Sequence, residues 1–167
     1  MIAIKEKIKE NKKIILLIIM IICTVVIDQI VKISVISNLY NSSITIIENV
    51  LNFTYVENRG GAFGIGSGNL LMFIIVNIII IVLILKFIVS KKDEVEGYVL
   101  ISGGLIIAGG IANLIDRIFR GFVIDYIDFS PIIKYPVFNL ADIFIVIGCV
   151  FVLLKLIINT IKERNAK

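Results

Sequence analysis

Residues 98–116 read "YVLISGGLIIAGGIANLID", an apolar stretch as long as a membrane span that carries two Gly-Gly pairs. Glycine is a poor helix former in water. Inside a membrane, however, small residues let neighbouring helices approach closely. The stretch is the weakest of the candidate spans by hydropathy, and its glycines predict a buried central helix.

The composition of the whole chain indicates an integral membrane protein. Hydrophobic residues make up 59% of the 167 positions, and the mean hydropathy of +1.05 is too high for a soluble domain with a polar surface. Besides 98–116, three segments are long enough to cross a hydrocarbon core of ~30 Å. They are approximately 14–34, 70–89 and 140–159. We predict one integral membrane domain over residues 1–167, whose first span is retained because no small-residue cleavage site follows it.

The distribution of basic residues predicts the topology. Lysines and arginines cluster in three regions: Lys5, Lys7, Lys9, Lys12 and Lys13 near the start, Lys91 and Lys92 between the second and third spans, and Lys162, Arg164 and Lys167 at the end. By the positive-inside rule these regions are cytoplasmic, and loops 35–69 and 117–138 face outward. The net charge of +4 is therefore assigned to membrane topology, and no nucleic-acid partner is expected.

The first outer loop has the pattern of β-structure. Its sequence "SSITIIENVLNFTYVENRGGAFGI" (residues 42–65) is rich in β-branched and aromatic residues, interrupted by Asn and Gly. Such a pattern is typical of short strands joined by turns. A small strand-rich element is predicted at the membrane surface.

Four aspartates lie within or beside the apolar spans: Asp28, Asp116, Asp125 and Asp142. A charged residue at the centre of a membrane helix costs ~2.5–3.5 kcal/mol on insertion scales, and such residues usually mark a functional site. In the predicted topology all four lie near the outer face, so one site can collect them. Solvation at headgroup depth would explain one acid better than it explains four.

Carboxylates are the expected chemical groups, because the chain has no histidine. Two aspartates close together share one proton: the charged one can deprotonate a water while the protonated one polarises a carbonyl. Asp125 and Asp142 are the predicted pair, and such a pair requires neither a metal nor a cofactor. Asn139 is a suitable N-cap for the fourth span, which places Asp142 in its first turn. The alternative is that Asp142 only stabilises the helix as a first-turn acid.

Other polar residues near the acids are predicted to form a scaffold. Asp28 and Lys32 have the i, i+4 spacing of an ion pair on one helix face. Asn113 and Asp116 are i, i+3 neighbours, and Arg117 is expected to hold a carboxylate through a bidentate bond. Cysteines are given no metal or disulfide role, because both lie inside apolar runs.

Three alternatives compete with paired carboxylates. Ser130 and Lys134 could form a Ser–Lys dyad, but they share an exposed loop in which nothing would lower the pKa of the lysine. A proton-coupled transporter would hold its acid near the bilayer midplane rather than toward one face. A non-catalytic scaffold would have no reason to keep four acids in its spans.

Five ordered motifs give the chain a family resemblance: "DQIVK" (28–32), "NRGGAF" (58–63), "GGIANLIDR" (109–117), "VIDYIDF" (123–129) and "FNLAD" (138–142). Together they resemble the lipoprotein signal peptidases (signal peptidase II), which are bacterial membrane aspartyl peptidases. Gly61, Ala112 and Tyr126 depart from the residues common in the family. None of these departures removes a polar or ionisable group, so only local packing differs.

The resemblance implies a fold, a reaction and a set of site residues. The fold is an all-α membrane protein of four transmembrane helices, with a small extracytoplasmic β-rich element and a short helix on the membrane surface. The substrate is a prolipoprotein whose cysteine bears diacylglycerol, and it is cut just before that cysteine at the outer leaflet of the bacterial cytoplasmic membrane. A monomer in contact with membrane lipid is expected, without metal or cofactor. Asp125 and Asp142 would be catalytic, supported by Asn58, Gly60, Asn113, Asp116, Arg117, Asn139, Asp28 and Lys32.

Overall fold

The computed structural model describes residues 2–61, 68–90 and 96–165, with side chains from residue 12 onward. In these residues the elements follow the order α1 (Ile2–Leu39), β1 (Ser43–Ile47), β2 (Leu51–Asn58), α2 (Leu70–Ser90), α3 (Gly97–Arg120), β3 (Val123–Asp128) and α4 (Leu140–Asn165). All four helices are long and apolar enough to cross a membrane. The prediction of a multi-pass membrane protein is confirmed.

Helix α3 is the centre of the bundle, as its glycines predict. In the most apolar 18-residue stretch of α3, more than half of the residues are buried. In the corresponding stretch of each other helix, less than a fifth are buried. The other three helices all pack on it. At Gly109 a Cβ atom would collide with the carbonyl oxygen of Ala141 in α4. Only glycine permits this approach of two helix backbones.

The helices extend beyond the predicted spans, because those spans are defined by apolar content alone. Helix α3 continues through Arg117, predicted to lie in a loop, and ends at Arg120. It stops because Gly121 adopts a left-handed conformation (φ 81°) and donates its N–H to the carbonyl of Arg117 at 3.2 Å. The last turn of α3 is polar and therefore falls outside a span defined by hydropathy.

The predicted strand-rich element is confirmed, but one of its strands comes from an unexpected part of the chain. The sheet is antiparallel with the order β1-β2-β3. Strands β1 and β2 lie in the first outer loop, as predicted, whereas β3 lies in the second, where no strand was predicted. Ile124 and Tyr126 of β3 pack with Val35 and Leu39 at the end of α1. The sheet therefore rests on the end of the first helix.

The predicted short surface helix is not found among the described loop residues, 40–61, 68–69 and 121–139, which form strands, turns and extended chain. Residues 62–67 lie outside the described part of the chain, and with them the last two positions of the "NRGGAF" motif. Lys91 and Lys92 of the predicted inner loop also lie outside it.

A backbone bridge fixes the start of α4 against the sheet. Phe138 accepts hydrogen bonds from the backbone N–H groups of Tyr126 and Ile127 at 3.0 and 2.8 Å, and it donates to the carbonyl of Ile127 at 3.1 Å. Asn139 follows directly and is fully buried. This bridge brings the first turn of α4 beside the middle of β3.

Candidate active site

Asp125 lies in the middle of β3 beside the end of β2. It is paired with Val56, and Asn58 is paired with Val123, so Asn58 and Asp125 are diagonal neighbours on one face of the sheet. The Nδ2 of Asn58 donates to Asp125 Oδ2 at 2.9 Å. The Oδ1 of Asn58 accepts from the backbone N–H of Gly60 at 2.9 Å, which fixes the orientation of the amide.

Asp142 lies in the first turn of α4, where Asn139 is the N-cap, as predicted. Asn139 Oδ1 accepts from the backbone N–H of Asp142 at 3.0 Å, and Asp142 Oδ2 accepts from the backbone N–H of Asn139 at 3.2 Å. This reciprocal pair has the geometry of a capping box. The Nδ2 of Asn139 also donates to Asp125 Oδ1 at 2.7 Å. One asparagine therefore contacts both members of the predicted catalytic pair.

Asn113 of α3 supplies the remaining contact to Asp142. Its Nδ2 donates to Asp142 Oδ1 at 2.8 Å. Its Oδ1 accepts from Lys32 Nζ at 2.9 Å and from Asn139 Nδ2 at 3.2 Å. Each carboxylate of the predicted pair thus accepts hydrogen bonds from two neutral amide N–H groups.

Burial gives Asp125 an unusual proton affinity. Its side chain is only 2% exposed. Burial, reinforced by the negative charge of Asp142, raises the pKa of Asp125 to about 7, against the opposing hydrogen bonds from Asn58 and Asn139 and the positive charge of Lys32. A carboxyl group with this pKa can hold a proton at neutral pH, as one member of an aspartate pair must.

A buried ion cluster lies next to this pair. Lys32 Nζ is 2.9 Å from Asp28 Oδ2 and 2.8 Å from Asp116 Oδ2, and all three side chains are 0% exposed. The predicted i, i+4 pairing of Asp28 with Lys32 is confirmed. Asp28 Oδ1 also accepts from the backbone N–H of Ala141 at 2.9 Å, and Asp116 Oδ2 accepts from that of Ile124 at 3.2 Å. The cluster therefore ties α1 and α3 to α4 and β3.

The prediction that Arg117 binds a carboxylate is wrong. Its guanidinium donates instead to the backbone carbonyls of Asn113 and Gly60, at 3.4 and 3.3 Å. Its Cζ also lies over the ring of Phe73, 5.5 Å from the centroid. In a helix, Arg117 directly follows Asp116 and points to a different face.

Arg120 makes the ion pair that was assigned to Arg117. It lies one turn after Asp116, at the i, i+4 position, and its Nη1 is 2.5 Å from Asp116 Oδ1. The same nitrogen donates to Gln29 Oε1 at 3.1 Å, and Gln29 Nε2 donates back to Asp116 Oδ1 at 3.2 Å. Neither Gln29 nor Arg120 was predicted to belong to the site, because the predicted span ends at Asp116 and the i, i+4 spacing applies only within a helix.

The Ser130–Lys134 alternative finds no support in the geometry. The backbone N–H of Ser130 donates to Asp128 Oδ1 at 2.8 Å, and Thr54 Oγ1 donates to Asp128 Oδ2 at 3.1 Å. The Lys134 side chain is exposed. Asp128 lies three positions after Asp125 on β3 and therefore faces the opposite side of the sheet.

Comparison with known proteins identifies the family. The family model described as signal peptidase (SPase) II matches residues 20–158. This chain belongs to the signal peptidase II family. It is 45% identical over 150 residues to the lipoprotein signal peptidase of Clostridioides difficile (strain 630), covering 89% of this chain and 99% of that protein. It is 42% identical over 139 residues to the lipoprotein signal peptidase of Halothermothrix orenii, covering 83% of this chain and 92% of the relative.

Solved structures agree with this assignment. A bacterial membrane enzyme superimposes with a TM-score of 0.77 at 31% identity, covering 86% of this chain and 88% of that one. A second superimposes with a TM-score of 0.73 at 30% identity, covering 84% and 91%. The predicted enzyme class, an aspartic-type signal peptidase of the membrane, is confirmed.

Proposed function

We propose that this chain removes the signal peptide from diacylglyceryl-modified prolipoproteins, cutting just before the lipidated cysteine, with Asp125 and Asp142 as the catalytic pair. The observation that carries the proposal is the way these two carboxylates are held. Both accept hydrogen bonds only from amide N–H groups among the contacts described above. Their shared charge is thus left without a directly bonded cation, and a proton can move between them and a substrate.

The pair divides the chemistry between its two members. Asp142 is assigned the role of general base, because it lies in the first turn of α4, where the helix dipole favours a negative charge. Asp125 holds the proton because burial raises its pKa to about 7. Asp142 removes a proton from the attacking water while Asp125 donates a hydrogen bond to the carbonyl oxygen of the scissile peptide. As the C–N bond breaks, Asp142 gives the proton that it took from the water to the nitrogen of the departing amine, and Asp125 keeps its own proton, so the pair returns to its starting state.

The site is proposed to lie at the extracytoplasmic face, with both termini in the cytoplasm. The basic residues flanking the spans support this orientation. A peptide bond next to a lipidated cysteine lies at headgroup depth, and the proposal assigns the same depth to β3 and the first turn of α4, which lie at one end of the bundle. Asp125, Asp142 and the three asparagines that bind them all belong to one chain, so a monomer in contact with membrane lipid is sufficient.

Cleavage of a defined precursor tests the proposal. The purified protein in detergent, with no ion gradient, is incubated with a prolipoprotein that carries diacylglycerol, and the products are identified by mass spectrometry. We expect one cut just before the modified cysteine. The matched control is the same precursor without diacylglycerol, which should be cut much more slowly because each buried acyl CH₂ contributes ~0.8 kcal/mol to its retention. Equal rates would contradict the lipid-dependent part, and no cleavage would contradict the whole proposal.

Cysteine labelling tests the orientation. Cys23 and Cys149 are free and exposed, so both are first replaced by alanine. New cysteines in the variants Ser42→Cys and Lys134→Cys should react with an impermeant thiol reagent on intact cells. A cysteine in Lys162→Cys should react only after lysis. The opposite pattern would place the site in the cytoplasm.

A further inference from the structure

The three asparagines that bind the catalytic pair are not oriented in the same way. Asn58 and Asn139 each have their Oδ1 fixed by a backbone N–H, that of Gly60 at 2.9 Å and that of Asp142 at 3.0 Å. Asn113 lies inside α3, where the backbone N–H groups are used by the helix itself. Its Oδ1 is instead held by side chains, Lys32 Nζ at 2.9 Å and Asn139 Nδ2 at 3.2 Å.

The chemistry of the two neighbours allows Asn113 one orientation. An ammonium group has only donors, and an ionised carboxylate has only acceptors. With Lys32 on one side and Asp142 on the other, the oxygen of the amide must face Lys32 and its NH₂ must face Asp142. The flipped amide would set donor against donor at Lys32 and acceptor against acceptor at Asp142.

Lys32 is itself held rigidly. Its ammonium carries three N–H donors, and three oxygens lie within bonding distance: Asp28 Oδ2 at 2.9 Å, Asp116 Oδ2 at 2.8 Å and Asn113 Oδ1 at 2.9 Å. The side chain is 0% exposed. The ammonium group therefore has no vacant donor and no solvent that could replace its protein partners.

We propose that Lys32 is a positioning residue for the cleavage reaction: its buried ammonium orients the amide of Asn113 so that the NH₂ group holds Asp142. This inference rests on the proposed catalytic pair. The ion cluster then does more than join helices, because the bond from Lys32 to Asn113 fixes the NH₂ group that donates to Asp142. Neutralising buried carboxylates would explain Asp28 and Asp116 as partners but not the third bond.

The charge of Lys32 also reaches the catalytic pair. The charged groups facing Asp125 are Asp142 on α4, Lys32 on α1 and Arg117 on α3. Of these, Lys32 lowers the pKa of Asp125 and Asp142 raises it. Loss of the ammonium should therefore raise the pKa of Asp125 and move the alkaline limb of kcat/KM to higher pH. This shift reports the charge of Lys32 near Asp125, whereas coupling to Asn113 separates positioning from a purely structural role.

The test uses a charge-balanced background, because removing Lys32 alone would leave two buried carboxylates short of a cation. Asp28→Asn is the reference variant: its amide oxygen can replace Asp28 Oδ2 as an acceptor for Lys32, at the cost of the bond from Ala141. Its kcat is first compared with that of the wild type, to establish that Lys32 still holds Asn113. Compared with it, Asp28→Asn/Lys32→Met should show kcat lowered about 100-fold, the size of effect that a misplaced reacting group produces. KM should stay within about twofold, because Asp142 acts on the water rather than on substrate affinity.

A double-mutant cycle tests whether Lys32 acts through Asn113. In the Asp28→Asn background, Asn113→Ala should lower kcat by itself, and adding Lys32→Met should then lower it by less than about threefold more. Lys32→Gln restores an N–H donor without the charge. It should recover most of kcat while keeping the alkaline shift of the pH profile. If the Met variant does not fold, Lys32→Gln alone is compared with the reference. Its kcat should stay close to that of the reference while the alkaline limb moves to higher pH, and an unmoved limb would overturn the proposal.

Lys155→Met is the matched control. Lys155 lies half-buried on α4, 3.6 Å from Glu96 and over the ring of Tyr98, away from the catalytic pair. Its loss should leave kcat and the pH profile unchanged. Multiplicative effects of Lys32→Met and Asn113→Ala, or an unmoved pH profile, would overturn the positioning role while wild-type cleavage still supports the proposed function. Full cleavage by Asp125→Asn would instead overturn the proposed function.

Discussion

Two pairs of aspartates lie side by side in this bundle, and the groups that bind them differ. Asp28 and Asp116 are completely buried and are bound by cations: Lys32 contacts both, and Arg120 contacts Asp116. Asp125 and Asp142 are bound by amide N–H groups. Removing one partner of a buried ion pair is strongly destabilising, so the first pair holds the structure together. Two adjacent carboxylates bonded only to neutral donors can instead share one proton, which is then available for transfer.

The two pairs are also joined physically. Asn113 receives Lys32 on one side and gives its NH₂ to Asp142 on the other. Asp28 accepts from the backbone N–H of Ala141, the residue before Asp142. The ion cluster therefore fixes the start of α4 without placing a cation on the catalytic pair. Substitutions in the two pairs should accordingly separate loss of turnover from loss of stability.

The largest effect is expected from Asp125→Asn and Asp142→Asn. Either change preserves shape but removes a protonation state that the reaction needs, so cleavage of the lipidated precursor should fall by at least ~10²–10⁴. The fold should survive, because each aspartate makes hydrogen bonds but no ion pair among the contacts described. Mass spectrometry of the products measures the first effect, and thermal unfolding in detergent measures the second. Turnover like that of the wild type in either variant would end the assignment of the catalytic pair.

The sequence is sufficient to select this pair but not to show how it is held. Hydropathy, basic residues and the Gly-Gly pairs predict four spans, a central third helix and an acid at the start of the fourth span. Strand β3 is not predicted, because "VIDYID" contains two aspartates, a residue type depleted in strands. Its pairing with β2 and its bridge to Phe138 are long-range contacts. Local sequence patterns do not predict such long-range contacts.

The next effect in size concerns the charge-compensated pair. Asp116→Asn leaves Arg120 without its carboxylate and removes one of the two carboxylates that bind Lys32. Breaking a buried ion pair in this way costs ~3–5 kcal/mol of folding free energy. Turnover of the folded fraction should fall less than about tenfold, because Lys32 keeps Asp28 and Asn113. Thermal unfolding and specific activity, measured on one preparation, separate the loss of stability from the loss of turnover. A large loss of turnover with normal stability would contradict the structural role of Asp116.

The error on Arg117 has a simple physical cause. Adjacency in sequence suggests that Arg117 binds Asp116, yet adjacent helical residues point about 100° apart, whereas residues four apart lie on one face. Arg120 satisfies that spacing and makes the contact. The predicted span ends before Arg120, so the helical spacing rule does not reach it. Gln29 could not be found at all, because its bonds to Asp116 and Arg120 cross between two helices.

A smaller effect is expected from pH. The pKa of Asp125 is raised by burial and by Asp142 from 3.8 to about 7, so the folded state holds this proton more tightly than the unfolded chain does. The stability contribution of Asp125 is therefore complete below its unfolded pKa of 3.8 and is lost as pH rises through about 7. The melting temperature in detergent should decline over this range, and Asp125→Asn should decline less. An identical pH dependence in both proteins would show that Asp125 titrates normally.

The smallest effect is expected from Asp128→Asn, the control on the other face of the strand that carries Asp125. Burial alone would raise the pKa of Asp128, but the hydrogen bonds from Ser130 and Thr54 outweigh it and lower the pKa. The linkage sign is thus opposite to that of Asp125: stability from Asp128 is present above its unfolded pKa and is lost as pH falls through the lower folded value. In the variant, the amide oxygen at this position can still accept from the backbone N–H of Ser130, and the Thr54 hydroxyl can rotate to accept from the new NH₂. We expect a stability loss of ~1 kcal/mol or less and turnover close to that of the wild type. A loss of turnover as large as that of Asp125→Asn would mean that the acid on the wrong face of β3 had been assigned to catalysis.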